Sequence, residues 1–546
     1  MRSTMQDFPL TIGGVLRHGT EVHPDSEVVT ATADGTRAMS FADLGARTAR
    51  LAAGLRELGI RGDERVATFG WNNAEHLEAY FAAPAMGAVL HTLNIRLFPE
   101  QLTYIANHAE DRVVVVDASL VGQLAKVLPT FETVTHVLVA GPEAATADLE
   151  PLRGAGKEVL HYDEVLDRQP EAFPWPTVDE RSAAAMCYTS GTTGNPKGVV
   201  YSHRSAYLHS MAVGLGVNAG LTWEDRVLPI VPMFHANAWG LAYASVMSGA
   251  SLLMPDRWLQ AEPLVRFMER TRPTVSGAVP TVWNDVLLHL DEHEADLSSL
   301  RLVLCGGSAV PRSLMQALGE RHGINMVQAW GMTETSPVAS TARPPVAVEG
   351  EEMWRFRCTA GRLLPGVEAR IVGDDGKTLP RDGEAVGELE VRGPWVTGSY
   401  YRDDDPDKFH DGWLRTGDVG TLDHLGYITL TDRAKDVIKS GGEWISSVEL
   451  ETALMAHPDV VEAAVVGIPD EKWQERPLAS VVLREGAGTT AEDLRAFLAE
   501  RFASWQLPDA WTFIKAVPRT SVGKFDKKVL RRQYGEGELD VTRAAK

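Results

Sequence analysis

The sequence predicts an α/β chain of at least two domains, a large one built on doubly wound sheets and a small α+β unit after it. Three observations predict this. The chain has 546 residues, more than a single hydrophobic core normally organises. Residues 40 to 140 alternate helical and strand-like patterns, as parallel sheets covered by helices require. The last hundred or so residues carry two strand-like runs and a capped helix start without that alternation.

Leu44, Leu51, Leu55 and Leu58 recur on one helical face, and Gly59 supplies the stop. Val66-Ala67-Thr68-Phe69 then reads as a buried strand, and Val113 to Val116 and Val137 to Val139 repeat the theme. No period of 20 to 50 residues is present, which excludes a solenoid. Near the end, Val460 to Ile468 and Ala479 to Leu483 read as strands. Thr490 with Asp493 makes a capping box ahead of Leu494, Phe497 and Leu498.

Composition narrows the function. Hydrophobic content of 44% and charged content of 23% describe an ordinary globular protein. The formal charge of -21 argues against non-specific nucleic-acid binding, though not against a small anionic substrate in a local cationic pocket. Cys187, Cys305 and Cys358 form no paired motif, which suggests a reducing compartment; Cys187 and Cys305 end apolar runs and read as core residues. The N-terminus has no apolar leader pattern, and no run reaches the ~18 apolar residues of a spanning helix. The expectation is a cytoplasmic protein with no integral membrane segment.

The chain is organised around Tyr188-Thr-Ser-Gly-Thr-Thr-Gly-Asn-Pro-Lys-Gly-Val-Val-Tyr-Ser-His203. The apolar run Ala183 to Cys187 precedes it and Val199-Val200 follow, so the loop hangs between two strands. Gly191, Gly194 and Gly198 let the backbone turn tightly and bring N–H groups against an anion. Thr189, Ser190, Thr192 and Thr193 add hydroxyls, and Lys197 adds a point charge. This is chemistry for holding a polyphosphate. It is not a Walker A loop, because Pro196 and Gly198 flank the lysine.

Four further stretches carry chemistry. Val231-Pro-Met-Phe-His-Ala-Asn-Ala-Trp239 follows a strand-like Val227 to Ile230 and by itself reads as a buried aromatic cluster. Leu302 to Ala309 reads as a strand ending in a tight turn at Gly306, Gly307 and Ser308, and strand ends of parallel sheets are where ligands bind. In Gln328-Ala-Trp-Gly-Met-Thr-Glu334, Trp330 offers a flat face to a purine and Thr333 can bond a phosphate. Glu334 is a hard oxygen ligand suited to Mg²⁺. In Gly412 to Asp418, the aspartate can accept from two ribose hydroxyls, although out of context it is a turn former.

Together with Thr431 to Glu451 and Pro518 to Arg531, these stretches resemble, in order, the motifs of the adenylate-forming superfamily: acyl-CoA synthetases, luciferase-like enzymes and peptide-synthetase adenylation domains. The resemblance spans about residues 40 to 530, with Ala329 and Trp330 standing where glycine and tyrosine are common. It implies a large N-terminal domain with a small β-subdomain (Ala360 to Glu368, Gly387 to Pro394), residues 1–431. A hinge at 432–437 and a mobile C-terminal domain at 438–546 follow.

It implies ATP contacts from the phosphate loop (Thr189 to Gly194, Lys197), Gly307, Ser308, Gln328, Ala329, Trp330, Gly331, Thr333, Glu334, Asp418, Arg433, Lys435, Lys439 and Lys524. Mg²⁺ would lie at Thr189 and Glu334. His235 would sit by the acid's carboxylate, with Trp239 as gate and Gly307 lining the acyl pocket. CoA would approach past Gly441, Gly442 and Trp444. Lys524, the motif's terminal lysine, would reach across the domains for adenylation and leave for thioester formation.

The implied reaction is ATP-dependent activation of a medium- or long-chain fatty acid to its adenylate and transfer to CoA. The alternative is a CoA ligase for a short, methylthio-substituted or aromatic acid. The absence of a long insertion between Glu334 and Gly412 favours the CoA-using branch. No residue announces luciferase-like oxygenation, and the chain ends soon after Lys524, unlike a peptide synthetase. Joint retention of Lys524, Glu334 and Asp418 argues against a non-catalytic binding protein. A homodimer is an expectation by family analogy alone.

Overall fold

The computed structural model describes residues 1–189, 195–433, 436, 438–440, 443–470, 472–520 and 525–543, with backbone alone at 432, 433, 439, 443 and 444. Among the described residues three sheets are present. The first, of seven strands, runs Glu158–His161, His136–Ala140, Asp111–Asp117, Arg65–Phe69, Val89–Thr92, Ala183–Tyr188 and Gly198–Ser202 in spatial order. All its pairings are parallel except the last, where Tyr188 faces Gly198 across an antiparallel pair.

The second, of fourteen strands, has a parallel centre in which Val275–Ala278, Leu302–Gly306 and Met326–Gly331 lie side by side. It continues through antiparallel strands to the β-rich region that includes Gly387–Arg392, Trp413–Leu422 and Tyr427–Arg433. The third, of six strands, belongs to the C-terminal unit and is dominated by the pair Val460–Asp470 and Gln474–Leu483. The predicted α/β class, with a large N-terminal and a small C-terminal domain, is the observed one.

The local rules that predict the elements also explain them. The helix Phe41–Glu57 starts at a capping box between Ser40 and Asp43, buries Leu44, Leu51 and Leu55 completely, and ends before Gly59 at φ 95°. The helix Ala491–Ala499 begins at the capping box of Thr490 and Asp493. Cys187 and Cys305 are buried strand residues, and burial pushes both thiols up from their ordinary range, so they act as small apolar groups.

The two large sheets meet at a seam that one asparagine secures. Asn72 Nδ2 donates to Pro229 O at 2.7 Å and Val231 O at 2.9 Å, while Asn72 Oδ1 accepts from Met233 N at 2.7 Å. A side-chain amide is satisfied here by backbone that has left its sheet, which fixes the segment before His235 against the seven-stranded sheet. At the other end, the strand Tyr427–Arg433 leads to the C-terminal unit. The Ser446 hydroxyl donates to Thr431 O, and Lys527 Nζ binds Ser447 Oγ at 2.6 Å and Glu451 Oε1 at 2.7 Å.

No helix among the described residues is long and apolar enough to cross a membrane.

Candidate active site

Carboxyl ends of parallel strands from both large sheets open onto the seam, the usual ligand crevice of an open α/β sheet. The root of the phosphate loop comes from the seven-stranded sheet. Thr189 N donates to Lys197 O at 2.9 Å, and Lys197 N donates to Thr189 Oγ1 at 3.1 Å, so the loop is closed at its base by a two-way bond. Ser190, Gly191, Thr192, Thr193 and Gly194 lie outside the described residues. The Lys197 ammonium binds Asp405 Oδ2 at 2.5 Å and lies 3.4 Å from Asp403 Oδ2. These carboxylates push its pKa up, and Lys197 holds Asp405 below the usual carboxylate range.

The second sheet carries the residues that the sequence resemblance assigns to the nucleotide. Ala329 pairs with Gly306 across two parallel strands, and a Cβ on Gly306 would lie 2.5 Å from Ala329 O, so only glycine fits there. Gly307 turns at φ 88° and Ser308 is exposed beyond it. Gln328 is used structurally: its amide accepts from Val310 N at 2.6 Å and donates to Thr359 O at 2.7 Å, holding the Gly306–Val310 turn against the next strand. Trp330 is buried, and its indole N–H donates to Asp418 Oδ2 at 2.8 Å. A Cβ on Gly331 would collide with Pro337 O.

Thr333 O accepts from Tyr201 O–H at 2.8 Å, a bond that reaches from the seven-stranded sheet. Glu334 is 5% exposed, its Oε1 accepts from Tyr400 O–H at 2.6 Å, and its backbone O accepts from Thr397 N at 2.8 Å. No ion pair joins Glu334 to a cation among the described residues. A buried carboxylate left without a cation is costly unless a metal neutralises it. The donor set is hard oxygen, and among the described residues it includes no cluster of three or more acidic, His or Cys ligands. That suits Mg²⁺, which takes one or two protein oxygens and completes its shell with phosphate and water. Thr189 Oγ1 and Glu334 fit this role.

The segment expected to border the acid forms an unusual turn. Ala236, Asn237, Ala238 and Trp239 have φ of 42°, 51°, 51° and 57°, and Gly240 has 75°. Left-handed backbone costs ~1–2 kcal/mol per non-glycine residue, so such a run persists only where its surroundings enforce it. Cys187 Sγ donates to Asn237 Oδ1 at 2.9 Å, and the His209 ring packs against Gly240 so closely that a Cβ there would lie 2.5 Å from Nδ1. His209 Nε2 accepts from Val338 N at 3.1 Å. The turn lays the buried Trp239 indole over two glycines at strand ends: a Cβ on Gly277 or on Gly306 would come within 3.7 Å of the ring. His235 is half-buried at the entry to the turn, with its N–H on Pro232 O at 3.0 Å.

Asp418 lies in the strand Trp413–Leu422, directly opposite Arg433 on the adjacent strand. Side chains of Arg433, Lys439 and Trp444, and all of Lys435, Gly441, Gly442 and Lys524, lie outside the described residues. Sequence reasoning missed Asn72, His209, Tyr400 and Asp405. Only Asn237 and Gly240, residue types that tolerate left-handed backbone, carried a local signal for the turn.

Comparisons agree with this geometry. The family described as AMP-binding enzyme matches residues 16–401, and that described as AMP-binding enzyme C-terminal domain matches 449–524. A 3-methylmercaptopropionyl-CoA ligase of Ruegeria pomeroyi is 43% identical over 540 residues, covering 98% of this chain and 99% of that protein. A long-chain-fatty-acid–CoA ligase of Thermus thermophilus is 44% identical over 540 residues, covering 97% of each. The solved anthranilate CoA ligase AuaEII in complex with anthranoyl-AMP superposes with a TM-score of 0.85 at 26% identity, covering 97% of this chain and 98% of that one. Matches of this extent, over both domains and the whole seam, make this chain a member of the AMP-binding enzyme family.

Proposed function

We propose that this protein is an AMP-forming acid–CoA ligase that activates a medium- or long-chain fatty acid with ATP and passes the acyl group to CoA. One observation carries the reading: the buried carboxylate of Glu334, which has no ion pair among the described residues, is linked through Tyr400 to Lys197 at the phosphate-loop root.

A carboxylate resists thiols because oxide is a poor leaving group. Attack by the acid's oxygen on the α-phosphorus of ATP forms an acyl–phosphate bond and expels pyrophosphate. CoA sulfur then attacks the acyl carbon, loses its proton and expels AMP. The first step brings two anions together, so catalysis is positioning and charge neutralisation. Mg²⁺, when bound, would supply positive charge against the phosphates. Glu334 and Thr189 hold it, the loop N–H groups and Lys524 cradle the phosphates, and Asp418 accepts from ribose with Arg433 opposite.

Gly307, Ser308, Gln328, Ala329, Gly331 and Thr333 border the nucleotide, with Lys435 and Lys439 nearby. His235 lies by the acid's carboxylate and Trp239 closes its slot. CoA enters past Gly441, Gly442 and Trp444 once the C-terminal domain turns about 432–437. The protein acts in the cytoplasm and as a homodimer on this reading.

A second reading has one observation in its favour. The Trp239 indole already fills the space over Gly277 and Gly306, which shortens the slot and suits a short or methylthio acid. Acid-dependent AMP release separates the two, run from acetate through palmitate with aryl and methylthio acids, with and without CoA. A CoA-dependent maximum on a fatty acid supports the first reading and a maximum on methylthiopropionate the second. Adenylate without thioester would sink both.

A further inference from the structure

The root of the phosphate loop lies on the seven-stranded sheet and Glu334 in the short helical turn Thr333–Thr335 that follows a strand of the fourteen-stranded one, yet one side chain touches both. Tyr400 donates its phenol O–H to Glu334 Oε1 at 2.6 Å, and Lys197 Nζ lies 4.8 Å from the centre of the Tyr400 ring. The same ammonium is held by Asp405 and Asp403. Tyr401 N donates to Gly198 O at 2.8 Å, next to Lys197, whose backbone already closes the loop on Thr189. From the same stretch, Thr397 N fixes the backbone of Glu334. Residues 397–405 are therefore bonded at one end to the metal-site carboxylate and at the other to the phosphate-loop root.

We propose that Tyr400, Asp405 and Lys197 form a positioning clamp that keeps the Glu334 carboxylate in register with the phosphate loop, with Lys197 as the joint of the clamp rather than a phosphate ligand. An ammonium neutralised by two carboxylates has little charge left to offer a phosphate. The same ammonium packs over the Tyr400 ring, an attraction that holds the ring and with it the direction of its O–H bond to Glu334. That bond commits one lobe of Glu334 Oε1 and sets the direction of the rest of the carboxylate. Hydrogen bonds behind a metal-binding side chain typically change metal affinity 10–100-fold. The clamp rests on the nucleotide reading of the same site, and the test separates the two.

The test is calorimetric binding of α,β-methylene-ATP, which cannot be cleaved at the reacting bond, titrated at a series of Mg²⁺ concentrations. Tyr400→Phe keeps the ring and removes the O–H. It is expected to raise the Mg²⁺ concentration for half-maximal binding about tenfold, with a thermal midpoint within about two degrees of wild type. Asp405→Asn is expected to weaken nucleotide binding several-fold, and Asp405→Glu to restore most of it.

Tighter binding by Asp405→Asn would mean that Lys197 is a phosphate ligand restrained by Asp405, and it would overturn the clamp. An unchanged Mg²⁺ dependence in Tyr400→Phe would overturn it equally. Wild-type protein that binds no Mg²⁺–nucleotide would overturn the nucleotide reading, and the clamp with it; wild-type binding with indifferent variants removes the clamp alone.

Discussion

The indole N–H of Trp330 donates to Asp418 Oδ2 over 2.8 Å, joining the ring assigned to the purine to the carboxylate assigned to ribose. Both groups are buried, so the bond orients Asp418 in a place where water is scarce. Hydrogen bonds to charged groups contribute ~1.5–3 kcal/mol. Trp330→Phe keeps a flat face and removes the donor. The expected result is a rise of about tenfold in KM for ATP, equivalent to ~1.4 kcal/mol, with KM for the acid within about twofold. An unchanged ATP KM would show that Asp418 needs no such orientation.

Trp239 lies over Gly277 and Gly306, and its backbone is held left-handed from Ala236 to Gly240. On the proposed reading the slot opens by motion of the ring and not of the chain. Trp239→Ala empties the space above both glycines, and acid preference should move toward longer chains. The ratio of kcat/KM for decanoate over butyrate should rise about tenfold or more, since each methylene in an apolar pocket is worth ~1–3 kcal/mol. Gly277→Ala should act oppositely, because its Cβ would lie 2.8 Å from Leu241 Cδ1 and 3.7 Å from the indole. An acid profile indifferent to both changes would remove Trp239 from specificity.

Lys524→Ala should separate the half-reactions. Adenylation, which brings a carboxylate against the α-phosphate, should fall at least about a hundredfold, the scale for removing one oriented charge from a transition state. Conversion of a supplied acyl-adenylate by CoA should fall no more than about threefold. Equal losses in the two assays would end the account of two domain positions.

Three buried histidines set the acid limit of stability. Burial lowers His76 and His203 to about 4 and His209 to about 3. Below the unfolded value the unfolded chain binds protons that the folded chain refuses, so stability is full above about pH 6.5 and falls as pH drops toward 4. Raised carboxyls work the other way over part of that window, and burial lifts Asp111, Asp117 and Asp285 among them. Burial pushes Asp256 up to about 6, and it pushes Glu78 up against the pull of Arg47. Each histidine costs up to ~1.4 kcal/mol per pH unit in that window, and the raised carboxyls offset part of it. Urea midpoints at pH 7, 6 and 5 should decline in that order; a midpoint that is flat or rises toward pH 5 would contradict it.

Much of the site was legible because its signals are local. Thr189 and Lys197 are eight positions apart, and their spacing with the intervening glycines already describes a closed anion loop. Trp330, Thr333 and Glu334 fall within five residues, so their chemistry reads as a unit. Tyr400 and Asp405 gave no such signal: one is an aromatic in a Ser-Tyr-Tyr run, the other one acid among four within Asp403 to Asp407. Their meaning comes from partners 66 and 208 positions away, Glu334 and Lys197. The left-handed turn at Ala236 to Gly240 was hidden for a related reason. Two alanines and a tryptophan do not choose that backbone; Cys187 and His209, from other elements, enforce it.

By itself the sequence determined the α/β class and the order of the motifs, because hydrophobic period, capping and glycine spacing act over a few residues, while its resemblance to the adenylate-forming superfamily named the residues expected to meet ATP. The tertiary structure alone decided that Asn72 binds the two sheets at the seam, that Trp330 orients Asp418, that Tyr400 lies behind Glu334 and that the Trp239 ring roofs two glycines. Each of these joins side chains that many intervening residues separate along the chain. Only packing in three dimensions can bring such groups within bonding distance.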